Sequence, residues 1–248
     1  MKKFELTAES KINWFGRTLF RIKALIDFTT TSGDEIHAGD LGGYVEKEEN
    51  LSHSGKAWVW GNAEVWGNAE VCGDAEVWGN AKVWGNAKVW GNAEVCGDAE
   101  VWGNAKVWGN AEVCGDAEVC GDAEVCGDAS VFSPQHIFNV TPIGMNANSL
   151  TVFRTKNGST LQIYFEGDVF SLEQFRNNVE QWSDEKLKVT ALKAVDLACF
   201  HIDTTPEKPN IPCPFCGGEP KNVADDVISC TKCGATAPHD VWNNRVDG

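Results

Sequence analysis

From Val59 to Ser130 one six-residue unit, Val-(Trp/Cys)-Gly-(Asn/Asp)-Ala-(Glu/Lys), repeats twelve times without a break, with Ser closing the last copy. A unit this short buries nothing by itself. It is stable only when stacked on copies of itself, so this stretch must wind into a solenoid of parallel coils. Within each unit a small, a charged and a β-branched residue alternate, as in Ala63-Glu64-Val65. That alternation predicts a short strand with Ala and Val facing a narrow interior. Gly61 and its equivalents predict corners of left-handed backbone. The Asn or Asp that follows each one is the next best turn former.

An aliphatic residue every six positions, with a small residue two places before it, closely resembles the left-handed hexapeptide β-helix family. The resemblance implies three hexads per triangular coil of about 18 residues, with coils about 4.8 Å apart. Twelve hexads then make four coils, a prism roughly 20 Å long. The expected fold class is mainly β. The expected order is an N-terminal capping segment with an irregular first coil at 1–58, the parallel left-handed β-helix at 59–132 and a small α/β domain at 133–203. A linker at 204–210 and a zinc ribbon at 211–248 complete it. The family often trimerises, so the resemblance also implies a homo-oligomer, with a trimer favoured.

Where that family has a small outward residue, this chain has Trp60, Trp66, Trp78, Trp84, Trp90, Trp102 and Trp108. At the spacing the resemblance implies they fall into three outward ladders. These are Trp60, Trp78, Cys96, Cys114, Phe132; Trp66, Trp84, Trp102, Cys120; and Cys72, Trp90, Trp108, Cys126. Stacked rings stabilise adjacent rungs by about 0.5–1.5 kcal/mol per pair. Two readings stand: corner padding, and an aromatic interaction surface for a partner or second subunit.

The chain carries 36 acidic and 21 basic side chains, for a net charge of −15. Eight Glu, five Asp and three Lys lie in the repeat, so ten of those fifteen negative charges sit on the prism. A surface of that sign argues against nucleic-acid binding by the β-helix. No apolar run is long enough to span a membrane. Met1-Lys2-Lys3-Phe4-Glu5 has no signal-peptide core, so a cytoplasmic location, in a bacterial host, is expected.

Ten cysteines in such a compartment are expected as thiols or metal ligands. Cys96 and Cys114 lie one coil apart, within disulfide reach, and are expected to stay reduced. Cys199 reads as a helix core residue. Cys213-Pro214-Phe215-Cys216-Gly217 and Cys230-Thr231-Lys232-Cys233-Gly234 form two Cys-x-x-Cys-Gly knuckles thirteen residues apart. Four thiolates from two knuckles, Cys213, Cys216, Cys230 and Cys233, make a closed tetrahedral site for structural Zn²⁺. Together with Val241-Trp242-Asn243-Asn244-Arg245, these knuckles resemble the restriction-alleviation (Lar-type) zinc ribbons of phages and prophages. That resemblance implies a phage protein that blunts host restriction, and the acidic Asp225-Asp226 pair between the knuckles favours binding to protein over direct DNA contact.

Leu19–Leu25 and Gly39-Asp40-Leu41-Gly42-Gly43-Tyr44-Val45 resemble the opening segment of phage hexapeptide-repeat proteins. After Phe132 strands are expected at Ile137–Ile143, Leu150–Arg154 and Leu161–Phe165, with a turn at Lys156-Asn157-Gly158. Ser171-Leu172-Glu173-Gln174 has the form of a capping box opening a helix to Trp182. A second helix at 184–200 is expected to bury Leu187, Ala191, Ala194, Leu197 and Ala198.

Many hexapeptide helices are acyltransferases with a histidine base beside a loop that breaks a coil. Here the hexads hold no histidine and no insertion. The nearest histidines are His53 and His136, while His37, His201 and His239 lie farther off, so no catalytic residue is assigned and no enzyme is expected. The favoured function is a non-enzymatic anti-defence factor that binds a host defence or restriction protein. An oligomeric sponge for a small nucleotide signal is the alternative, with Lys11, Arg17, Arg21 and Lys23 as its only candidate anion-binding cluster. An acyltransferase and a virion component are the remaining alternatives.

Overall fold

A computed structural model describes residues 2–143, 148–156, 158 and 160–202, and the backbone of three short strands beyond them. The chain divides into two compact units, 1–205 and 206–248. In the first, the (Glu/Lys)-Val pair of each hexad is a two-residue strand, from Glu64–Val65 to Glu124–Val125. Positions 18 residues apart pair in parallel, Val65 with Val83, then Val101 and Val119. Three such sheets surround one axis, making a parallel β-solenoid of about five turns. Every Val and Ala of the hexads is at most 1% exposed, so the interior is a column of small and medium side chains.

The corners explain the glycine. Gly61 to Gly127 all have φ between 57° and 77°, the left-handed region that costs other residues about 1–2 kcal/mol. Stacking adds a second reason. A Cβ on Gly91 would sit 2.9 Å from the Gly109 nitrogen of the next coil, whereas one on Gly127 meets only the Gln162 side chain at 3.8 Å.

The hexads account for four turns, and residues 41–59 supply the fifth. Val45 pairs with Val65, Leu51 with Val71 and Val59 with Val77, so this first turn holds two extra residues between its second and third faces. The open end is then covered. The hairpin Phe4–Ile12/Thr18–Ala24 extends one sheet antiparallel to Leu41–Val45. Phe4, Ile22 and Ile36 join the solenoid core. The buried Lys3 ammonium donates to the carbonyls of Ala57 (2.7 Å) and Gly55 (3.3 Å). Burial lowers its pKa to about 8.

At the other end an antiparallel meander, Ile137–Ile143, Asn148–Arg154, Leu161–Phe165 and Asp168–Ser171, closes the last coil. Phe153 enters the solenoid core, the Lys156 N–H donates to the Asp128 carbonyl, and the Glu124 N–H to Thr151 Oγ1. Helix α1 (Leu172–Glu180) opens with the Ser171/Gln174 capping box, and α2 (Glu185–His201) with Asp184 as N-cap. The strand Asp168–Ser171 has no counterpart in the sequence reading, because Asp168-Val169-Phe170 is too short to show alternation. Helix α2 buries Ala191 and Ala198 and packs Ala194 against the core as expected, but not Leu197. Val195 is buried as well, while Leu197 is 55% exposed, because the sheet meets only one side of the helix. Asn157 of the expected turn lies outside the described residues. The second unit holds a three-stranded antiparallel sheet of Pro220–Ala224, Val227–Cys230 and Thr236–Pro238.

Two outcomes follow from coil stacking. Gly91→Ala is expected to lower stability by about 2–4 kcal/mol, from left-handed strain plus overpacking, and Gly127→Ala by about 1–2 kcal/mol; urea melts of the two variants give the comparison. Deleting residues 77–94, one 18-residue period, preserves every column and leaves a cooperatively melting protein. Loss of a cooperative transition in that deletion refutes free interchange of coils.

Candidate interaction surface

Outside the core, the repeat writes each face as columns of like residues. In two of the three charged columns lysine interrupts glutamate. Lys82 Nζ lies 2.8 Å from Glu100, Lys88 3.2 Å from Glu70 and Lys106 3.1 Å from Glu124. The third column reads Glu76, Glu94, Glu112 on consecutive rungs, with Lys156 2.6 Å from Glu112 at its end. Burial and the neighbouring Glu112 and Glu76 push the Glu94 carboxyl up. Corner amides form ladders as well. Asn68 donates to Asn86 (3.2 Å), Asn86 to Asn104 (3.0 Å) and Asn104 to Asp122 (2.9 Å). Each ladder stops at aspartate, which has no N–H to pass on.

The tryptophans are outward and stacked. Trp66, Trp84 and Trp102 follow one another at 4.9 and 5.0 Å between ring centroids, tilted by 2° and 4°. Trp90 and Trp108 repeat the geometry at 4.9 Å. Phe15 lies alongside the first ladder, 5.8 Å from Trp66 and 6.0 Å from Trp84, and Tyr164 meets the second edge-on at Trp108 (5.3 Å). In the remaining ladder the Trp60 indole N–H donates to Glu76 (3.2 Å), and Trp78 stands 42% exposed. Stacking thus covers most of the aromatic area that the sequence alone presents as surface.

Among the described residues, a strongly exposed apolar group lies elsewhere, on the tip of the N-terminal hairpin. Trp14 is 96% exposed, Ile12 73% and Phe15 64%. The Asn13 side chain accepts from the Phe15 and Arg17 N–H groups and shapes this turn. Between the tip and the Trp66/Trp84 edge lies a cavity of about 290 Å³. Residue type alone gives no signal for this site, since a Trp in a short turn reads as any surface aromatic.

The four candidate anion-binding cations each meet a carboxylate. Lys11 pairs with Glu64 (2.9 Å), Arg17 with Glu46 (3.1 Å), Arg21 with Glu9 (2.9 Å) and Lys23 with Glu5. His53 stacks on Phe4 at 4.3 Å, and its Nδ1 accepts from the Lys3 N–H. His136 is buried, with its Nδ1 accepting from the Phe132 N–H.

Cys96 and Cys114 form a disulfide, with Cα atoms 4.4 Å apart. This corrects the expectation of free thiols there. Parallel rung pairing brings like columns within bonding range whatever the residue. Cys72, Cys120 and Cys126 are free, and burial raises all three thiols, Cys126 to about 12. Cys199 is partly buried against the core of the α/β unit. Cys213, Cys216 and Cys233 lie outside the described residues, and Cys230 is placed only by its backbone, at the end of Val227–Cys230. No cluster of three metal-ligating side chains occurs among the described residues. None of their helices is long and apolar enough to cross a membrane.

No protein-family model matches the chain, and neither does any curated protein sequence.

The thiols are expected to differ in reactivity. At pH 8 a thiol with a pKa of about 12 is roughly 0.01% thiolate. Iodoacetamide on native protein should therefore label Cys72 and Cys120 before Cys126. Cys96 and Cys114 should react only after reduction, which peptide mass mapping reads directly; labelling of either without a reductant would show the pair to be unbonded.

Proposed function

We propose that this chain is a phage-encoded, non-enzymatic binding protein that engages a host defence or restriction protein and counteracts it. In this reading the solenoid is a left-handed β-helix, a rigid and self-associating spacer, with a trimer favoured. The C-terminal ribbon carries a structural Zn²⁺ held by the thiolates of Cys213, Cys216, Cys230 and Cys233, a donor set suited to a closed tetrahedral site. The protein acts in the host bacterial cytoplasm.

The observation that carries the binding role is the hairpin tip, where Trp14, Ile12 and Phe15 stand in solvent beside an aromatic ladder. Exposed Trp and aromatic neighbours are the residue types that anchor protein interfaces. The anti-defence role rests on the resemblance of the two cysteine knuckles to restriction-alleviation ribbons. The alternatives have less support. A sponge for anionic nucleotides needs free cations, and Lys11, Arg17, Arg21 and Lys23 are each paired. An acyltransferase needs a histidine base facing a cleft. His53 lines a cavity of about 440 Å³, but its ring is stacked on Phe4 and its Nδ1 accepts from the Lys3 N–H, and the Nδ1 of His136 is held by a backbone N–H.

Affinity capture from bacterial lysate tests the proposal, comparing the full chain with one ending at Lys208. A restriction or defence subunit retained by the full chain and lost on truncation is the expected result. Capture of none by either form overturns the anti-defence reading. Purified full chain should carry about one zinc per chain, and much less than that removes the ribbon site.

A further inference from the structure

The third face of the solenoid holds a groove of about 570 Å³, within the size range of small-ligand sites. Trp60, Trp78, Glu76, Glu94 and the Ser32 and Asp34 side of a turn line it. Glu76 is 4% exposed. Its carboxylate accepts from Ser32 N (3.0 Å), Ser32 Oγ (2.8 Å) and Trp60 Nε1 (3.2 Å). Among the described residues no cation pairs with Glu76 or Glu94.

The chain's own answer to stacked carboxylates is visible on the other two faces. There an alkylammonium, from Lys82, Lys88 or Lys106, sits between rungs and bonds a glutamate at 2.8 to 3.2 Å. On the third face Lys156 bonds Glu112 and acts on Glu94 only at longer range, so Glu76 and Glu94 have no ammonium bonded to them among the described residues. The groove opens beside these two carboxylates, and it adds what the other faces lack there, an indole 42% open to solvent. An aromatic face beside carboxylates is the chemistry that selects organic cations over hydrated metal ions.

We propose that this groove binds an alkylammonium ligand, with Glu94 accepting its N–H groups, the buried Glu76 carboxylate adding negative charge beneath, and Trp78 packing against its methylenes and charge. The assignment is independent of the anti-defence role, because it uses neither the hairpin tip nor the ribbon. Burial and the adjacent carboxylates raise the Glu94 carboxyl, and a bound ammonium offsets that repulsion.

Two probes carry this chemistry from different sources: spermidine, a free polyamine, and tetralysine, a basic peptide. Calorimetric titration of the full chain should show saturable binding of at least one, at one site per chain, with a change in Trp fluorescence. The tighter of the two identifies the source. Trp78→Ala and Glu94→Gln should each weaken it by about fivefold or more. Glu118→Gln removes the same charge from a lysine-bearing face and should leave affinity within about twofold. Melting curves establish that the variants fold. Absence of saturable binding by both probes overturns the proposal. Equal weakening by Glu118→Gln and Glu94→Gln also overturns it, since binding would then be diffuse attraction to an acidic surface.

Discussion

Backbone hydrogen bonds between residues one coil apart hold this protein together, and their constant register generates almost everything else. The Glu64 N–H donates to Ala81 O, Trp66 to Val83 and Asn68 to Gly85, and the same three bonds recur on coil after coil. A strand of two residues has no stability alone. Here each is paired above and below, so cooperativity comes from stacking and not from local propensity. The register also multiplies side chains into columns. Valine and alanine columns become the core, asparagine columns become amide ladders, and tryptophan columns become stacks.

A stack of like residues is favourable for amides and aromatic rings and unfavourable for carboxylates. Like charges on neighbouring strands repel, and the chain relieves this on two faces by placing lysine in the glutamate column. The column that has no lysine of its own, with Lys156 bonded to Glu112 at its end, borders the groove lined by Trp60, Trp78, Ser32 and Asp34. The same column logic accounts for the disulfide. Two cysteines at equivalent positions of adjacent coils are brought to 4.4 Å between Cα atoms without any adjustment of the fold.

Much of this was legible in the residues. The repeat specifies strand, corner and inward face, because each position of the hexad has one physical role. The strands after Phe132 and the cap at Ser171 could be read from alternation and capping chemistry. The site was less legible. The tryptophans read as a broad aromatic surface, yet stacking and the neighbouring Phe15 and Tyr164 rings cover much of them. The basic cluster read as an anion site, yet each member meets a glutamate brought near by the hairpin or the first coil. Leu197 read as core because helical period locates an apolar face but not which side a sheet will cover.

By itself, then, the sequence determined the solenoid, its column order and its acidic charge, since all three are properties of a period and survive any arrangement of the ends. Tertiary structure alone decided what happens where the period stops. It placed Lys3 on the open carbonyls of the first coil and Phe153 in the mouth of the last. It also exposed Trp14 at the hairpin tip and laid the Ser32 turn over Glu76. Those contacts join residues far apart in the chain, and no local pattern encodes a distance that only folding makes short.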